Sequence, residues 1–172
     1  DGFTISGNYS GGTAPNCGGT ARTLNTISAS VTNFIYGIRF AAAGTTNAST
    51  ISNNTIANID LTLDNPITAG TLYFDAMLLQ AGNINVSGNT IGSQSTNGNI
   101  KMTVNSGAVS TAFFGIDMRG VIGSVTNNTV GGFTMTGTNT GACIMVGINE
   151  GSTATTAINV TGNTVGGTVS NS

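Results

Sequence analysis

Charge is what this sequence has least of. Only 6% of its 172 residues are Asp, Glu, Lys or Arg, where a typical soluble domain carries about 25%. The four basic residues (Arg22, Arg39, Lys101 and Arg119) are scattered, and the net charge is −2. No basic patch is left to neutralise a run of phosphates, so nucleic acid is not an expected partner. Histidine is absent, and with it the commonest general base and the commonest metal ligand. No Ser/His or Cys/His nucleophile can be assembled. No apolar run approaches the roughly 20 residues of a membrane helix, so membrane insertion is not expected. Asp1 opens directly in a strand-like segment with no signal peptide before it. The expectation is a chain processed or cut out of something longer.

What fills the space left by charge is Gly, Thr, Asn and Ser, over an ordinary apolar fraction of 38%. Disordered chains are poor in β-branched residues, whereas Ile, Val and Thr recur throughout this one. The length allows one domain with a sizeable core.

One motif occurs five times. It reads Ile5-Ser6-Gly7-Asn8-Tyr9, Ile51-Ser52-Asn53-Asn54-Thr55-Ile56 and Val86-Ser87-Gly88-Asn89-Thr90-Ile91. It continues as Val125-Thr126-Asn127-Asn128-Thr129-Val130 and Val160-Thr161-Gly162-Asn163-Thr164-Val165. A β-branched residue leads into a Gly or Asn turn, then a fixed Asn, then a second short apolar segment. Gly and Asn tolerate the left-handed backbone that a sharp corner requires. A second motif lies between these copies: Tyr36-Gly37-Ile38-Arg39-Phe40, Phe74-Asp75-Ala76-Met77-Leu78, Phe114-Gly115-Ile116-Asp117-Met118 and Val146-Gly147-Ile148-Asn149. Its period of two is that of a strand with one buried face.

The two motifs alternate with a mean step of about 19 residues, a step that suits one coil of a solenoid. The predicted fold is therefore all-β: a parallel β-helix, a right-handed β-solenoid of about nine coils, forming a single domain over residues 1–172. Asn8, Asn54, Asn89, Asn128 and Asn163 are expected to stack as a ladder that satisfies backbone groups at the corner. Columns of like charge about 4.8 Å apart would repel, which accounts for the missing charge. In a copy following directly, Asn8 would come 17 residues after Asn163, within the observed steps. No segment at either end reads as a cap. The expectation is one unit of a tandem array or of a head-to-tail polymer.

The segment Asn8-Tyr9-Ser10-Gly11-Gly12-Thr13-Ala14-Pro15-Asn16-Cys17-Gly18-Gly19-Thr20 resembles the start of long tandem repeats in very large secreted bacterial proteins of the Bacteroidetes type. So do Tyr36-Gly37-Ile38, Gly44-Thr45-Thr46-Asn47 and Asn53-Asn54-Thr55-Ile56. Proteins of that kind are read as β-helical surface repeats and often end in a sorting domain for export. The resemblance covers most of the chain. It implies an extracellular or cell-surface location and a scaffold or adhesive role, and it transfers no catalytic residue. The stretch Asp75–Leu79 departs from the Tyr-Gly-Ile pattern.

Parallel β-helices also include polysaccharide-degrading enzymes, whose chemistry needs clustered carboxylates. Asp75 and Asp117 fall at different places in their motif and two steps apart, so no shared site is expected. Arg39, Met77, Asp117 and Asn149 form one mixed outward column. Asp60 and Asp64, with Asn65, sit in a loop before Pro66 where a calcium ion would fit, although loop solvation is the plainer reading. The expectation is no enzyme, no cofactor and no metal. Thr134, Thr136 and Thr138, and later Thr153, Thr155 and Thr156, alternate as an ice-binding face would, but without matching rows elsewhere. Phe34, Tyr36, Phe40, Phe74, Phe113 and Phe114 read as core, leaving Tyr9 and Phe133 to meet a surface glycan. Cys17 and Cys143 are seven steps apart, too far for an internal disulfide. They read as buried free thiols or as thiols linking successive copies. The function these features predict is an extracellular structural module whose partner is another copy of itself, with adhesion to a glycan as the alternative.

Overall fold

The computed structural model describes residues 1–25, 32–41, 44–63, 71–95, 99–105, 107, 109–151 and 158–167. Among them there is no α-helix, only a single 3-10 turn at Pro15–Cys17. The chain climbs in levels. The first holds β1 (Thr4–Ser6), β2 (Tyr9–Ser10), β3 (Arg22–Asn25) and β4 (Asn33–Ala41). The second holds β5 (Ser49–Ser52), β6 (Thr55–Ile56), β7 (Ile59–Leu63) and the first half of β8 (Thr71–Ser87). The third takes the rest of β8, then β9 (Thr90–Gly92), β10 (Ile100–Val104) and the first half of β11 (Ser110–Thr126). The rest of β11, β12 (Thr129–Gly131), β13 (Phe133–Gly137) and β14 (Cys143–Glu150) make the fourth. Finally β15 (Asn159–Thr161) and β16 (Thr164–Val165) begin a fifth.

Every pairing between named strands is parallel and joins one level to the next. Three sheets wall the solenoid: a wide one of β1, β4, β5, β8, β11, β14 and β15, a second of β2, β6, β9, β12 and β16, and a third of β3, β7, β10 and β13. Both sequence motifs lie on one turn, the alternating motif on the wide sheet and the Asn motif at the corner leading to the second sheet. In-register partners Ile5, Ile51, Val86, Val125 and Val160 are 46, 35, 39 and 35 residues apart. The expected nine coils of about 19 residues are therefore half-turns. From the first level to the last complete one, the chain climbs about three turns.

Burial follows the pleat. β7 (Ile-Asp-Leu-Thr-Leu) and β10 (Ile-Lys-Met-Thr-Val) alternate buried and half-buried residues, as strands with one wet face must. Their inward residues meet those of the other sheets in one continuous core, including Ile51, Ile56, Leu61, Phe74, Phe113 and Val130. The Tyr-Gly-Ile motif has its glycine where the wide sheet touches the second sheet. A Cβ on Gly115 would lie 2.6 Å from Val130 Cγ1, and one on Gly37 would lie 2.9 Å from Ile56 Cδ1. Gly147 stands in the same relation to Val165, at 2.4 Å. Close approach, rather than a turn, requires glycine there.

Candidate functional site

Three places concentrate polar or unspent groups: the Asn corner, a cluster on the outer face of the wide sheet, and the two ends. At the corner the residue before each ladder Asn has a left-handed backbone: Gly7, Asn53, Gly88, Asn127 and Gly162, with φ between 55° and 67°. That kink turns the next side chain inward. Each of the first four Asn then donates twice to the Oδ1 of the Asn one level on. Asn8 N and Nδ2 donate to Asn54 at 3.0 and 2.9 Å, and Asn54 to Asn89 at 2.9 and 3.0 Å. Asn89 donates to Asn128 at 2.9 and 2.9 Å, and Asn128 to Asn163 at 2.9 and 3.0 Å. The second Nδ2 proton goes one level back, to Ile5 O, Ile51 O, Val86 O and Val125 O for the last four Asn in turn. Asn54, Asn89 and Asn128 are fully buried. Every polar atom of the inner rungs is thus used in the way that lets an amide be buried.

The outer cluster was not expected. Asp75 and Asp117 lie on neighbouring strands of the wide sheet, and Arg119 reaches both. Arg119 Nε donates to Asp117 Oδ2 at 2.8 Å, its Nη2 donates to the same oxygen, and Nη2 stands 3.8 Å from Asp75 Oδ2. Asn149 Nδ2 donates to Asp117 Oδ1 at 2.8 Å. Both carboxylates are buried, and neither oxygen of Asp75 has a hydrogen-bond partner. Burial and the neighbouring Asp117 charge push Asp75 up from 3.8 to about 6, against the pull of Arg119. The hydrogen bond to Asp117 raises the Arg119 guanidinium above its ordinary value. The outward columns are corrected accordingly. Leu78, not Met77, stands in line with Arg39, Asp117 and Asn149, while Met77 is in the core beside Ile38 and Ile116.

The remaining sequence candidates separate. Asp60 belongs to strand β7, not to a loop, and faces Lys101 at 3.8 Å. Asp64 and Asn65 lie outside the described residues, as do Thr153, Thr155 and Thr156. Among the described residues no three metal-ligating side chains come together, and no helix is long and apolar enough to cross a membrane. On β13 Thr134 stands beside Lys101, so charge ends its row, whereas Thr136 continues through Thr103 to Thr62 as one row of three. Phe74 and Phe113 are core, and Phe133 packs on Phe113. Phe34 is half exposed, stacked on Tyr73 at 5.0 Å and on Tyr36 at 6.3 Å. Cys17 is buried and its thiol is pushed up by desolvation, whereas Cys143 is exposed rather than buried. Both are free, and they sit on different faces, Cys17 between β2 and β3 and Cys143 at the start of β14.

Among the described residues, large apolar side chains are exposed at the two ends. The exposed large apolar residues are Phe3, Tyr9 and Phe34 on the first level and Ile144, Met145, Val160 and Val165 on the last two, each 46% to 58% exposed. Met145, Val160 and Val165 end core columns whose inner members, such as Phe74, Val86, Ile51 and Ile91, are 0% or 1% exposed, whereas Tyr9, Phe34 and Ile144 stand in the outward columns of Thr55 and Tyr73. No protein-family model matches the chain, and neither a curated protein nor a solved structure matches it.

Proposed function

We propose that the protein is an extracellular structural module that stacks end to end, as part of a fibre, stalk or surface scaffold. The carrying observation is that, among the described residues, the exposed large apolar side chains fall on the first level and the last two, where core columns end at Met145, Val160 and Val165, while the levels between are closed. An exposed parallel edge with an apolar layer behind it is a template for another strand. Low charge favours the same reading, because repeated columns of charge would oppose extension.

The length of a turn revises how copies would join. Seventeen residues from Asn163 to the Asn8 of a directly following copy is about half of the 35 to 46 that one turn takes. Direct fusion would therefore bring Asn8 to the opposite side of the solenoid. Copies meet as separate chains, or a linked copy brings a further half-turn. Adhesion to a surface glycan is the second reading, motivated by the aromatic side chains on the outer face. It ranks lower because those rings turn their faces to one another.

Electron microscopy of the purified chain tests the proposal. Fibres with an axial repeat of about 24 Å, five rungs at roughly 4.8 Å, are expected. Discrete particles at every concentration would sink it and bring glycan-binding screens forward.

A further inference from the structure

We infer that the Asn corner is a one-directional docking edge, at which β15 and β16 of one copy receive β1 and β2 of a second copy. Asn8 Oδ1 of the second copy then accepts from Asn163 N–H and Nδ2 of the first. The inference rests on the end-to-end reading above and adds a direction and a register to it.

Three sets of hydrogen bonds recur up the corner, each keeping its own direction at every level. In the first, the N–H and Nδ2 of each Asn donate onward to the next Asn Oδ1. In the second, the N–H before each Asn donates onward to a Ser or Thr carbonyl: Gly7 to Ser52, Asn53 to Ser87, Gly88 to Thr126 and Asn127 to Thr161, at 3.1 to 3.2 Å. In the third, the Thr after each Asn donates back to the previous Asn carbonyl: Thr55 to Asn8, Thr90 to Asn54, Thr129 to Asn89 and Thr164 to Asn128, each at 2.8 Å.

The series stops at both ends with complementary groups. Among the described residues, Asn163 N–H and Gly162 N–H donate to nothing, and Asn163 O accepts nothing. At the other end, again among the described residues, Asn8 Oδ1 accepts nothing, and Asn8 Nδ2 donates to its own Ser6 O at 3.2 Å. Continuing the pattern pairs Asn163 with Asn8 Oδ1, Gly162 N–H with Ser6 O, and Asn163 O with Tyr9 N–H of the second copy. The same register lays Ile5 on Val160, the next place in their core column. Two N-terminal corners face to face would oppose Oδ1 to Oδ1, and two C-terminal corners would oppose N–H to N–H. Only head-to-tail docking continues all three series in register, each donor meeting the acceptor it meets at every inner level. Because β15 and β16 stand one level above β13 and β14, the corner carries the contact.

Ser6 and Thr161 are exposed and hold the same column position as Ser52, whose Oγ donates to Ser6 Oγ at 3.1 Å. Neighbours in such a column suit a disulfide. In a Cys17→Ser, Cys143→Ser background, Ser6→Cys with Thr161→Cys should oxidise to a ladder of dimers, trimers and longer species. Each single variant should stay monomeric on a non-reducing gel. Ser6→Cys with Ser52→Cys, which should close an internal bridge, controls for folding and geometry. Dimers from either single variant would overturn the direction while leaving end-to-end stacking standing. Fibres of the double variant without a disulfide ladder would overturn the register in the same way. Absence of assembly in every variant and in the native chain sinks both readings.

Discussion

The Asn corner and the Asp75–Asp117–Arg119 cluster are both polar columns buried in a parallel stack, and they meet that condition in opposite ways. At the corner one residue type repeats, and each amide carries the donors and the acceptor that its neighbours need. At the cluster the residue changes from level to level: Tyr36, Asp75, Phe114 and Val146 in one column, Arg39, Leu78, Asp117 and Asn149 in the next. A carboxylate has only acceptors to offer. Two on adjacent strands need a cation, and the single Arg119 satisfies Asp117 while leaving Asp75 without a hydrogen bond. Repetition stabilises a neutral amide and penalises a charge, so a solenoid can extend its corner indefinitely but not its acidic cluster.

The most damaging way to break the comparison is Asn89→Ala. It removes the acceptor for Asn54 N and Nδ2 and the donor to Ile51 O, all buried. Stranded groups of this kind cost about 1–3 kcal/mol each, so a loss of about 3–5 kcal/mol in urea unfolding is expected. A loss under 1 kcal/mol would mean that the ladder is decoration on a fold held by its apolar columns.

Asp75→Asn should act in the other direction. The folded carboxyl titrates near 6, above its ordinary 3.8, so the native state holds a proton that the unfolded chain releases between those values. Stability is therefore fullest at acid pH and falls as pH rises from about 4 to about 6, by on the order of 2–3 kcal/mol. The Asn variant should be more stable than the native chain at pH 7 and lose most of that dependence. Thermal unfolding from pH 4 to 8 measures both. A native melting temperature that rises between pH 4 and 6 would contradict the assignment. Asp117→Asn sharpens the point, because it removes the like charge and frees Arg119 for Asp75. In a double-mutant cycle the two substitutions should couple by about 1 kcal/mol.

How much of this was legible in the sequence depends on what repetition alone reveals. The ladder asparagines announce themselves, since a fixed Asn after a Gly or Asn corner recurs five times. The length of a turn does not. Two motifs on different faces of one turn give the same alternating spacing as one motif per coil, and only pairing such as Ile51 with Val86 resolves them. The acidic cluster was hidden by a slip of one residue. Matching Phe74 with Phe114 by type puts Asp75 beside Gly115 and Met77 beside Asp117. Phe74 in fact pairs with Phe113, the first of two adjacent phenylalanines. Ala76 was the available signal. It is the small residue of its level, and aligning it with Gly37, Gly115 and Gly147 sets Asp75 opposite Phe114 and Leu78 opposite Asp117.

The smallest expected effect is the most discriminating about the corner. Asn8 is the same residue as Asn89 in the same motif, but among the described residues no level lies behind it. It is exposed, its Oδ1 accepts nothing among the described residues, and its Nδ2 is shared between Asn54 Oδ1 and its own Ser6 O. Asn8→Ala leaves the backbone N–H to Asn54 in place, and water can serve the groups it uncovers. The monomer should lose under about 1 kcal/mol, a few-fold less than Asn89→Ala. Equal losses at the two positions would mean that each Asn acts through its own turn, and the ladder would then be a by-product of repetition. A small loss at Asn8 and a large one at Asn89 would assign the stabilisation to the neighbouring rung, which is what a following copy would supply.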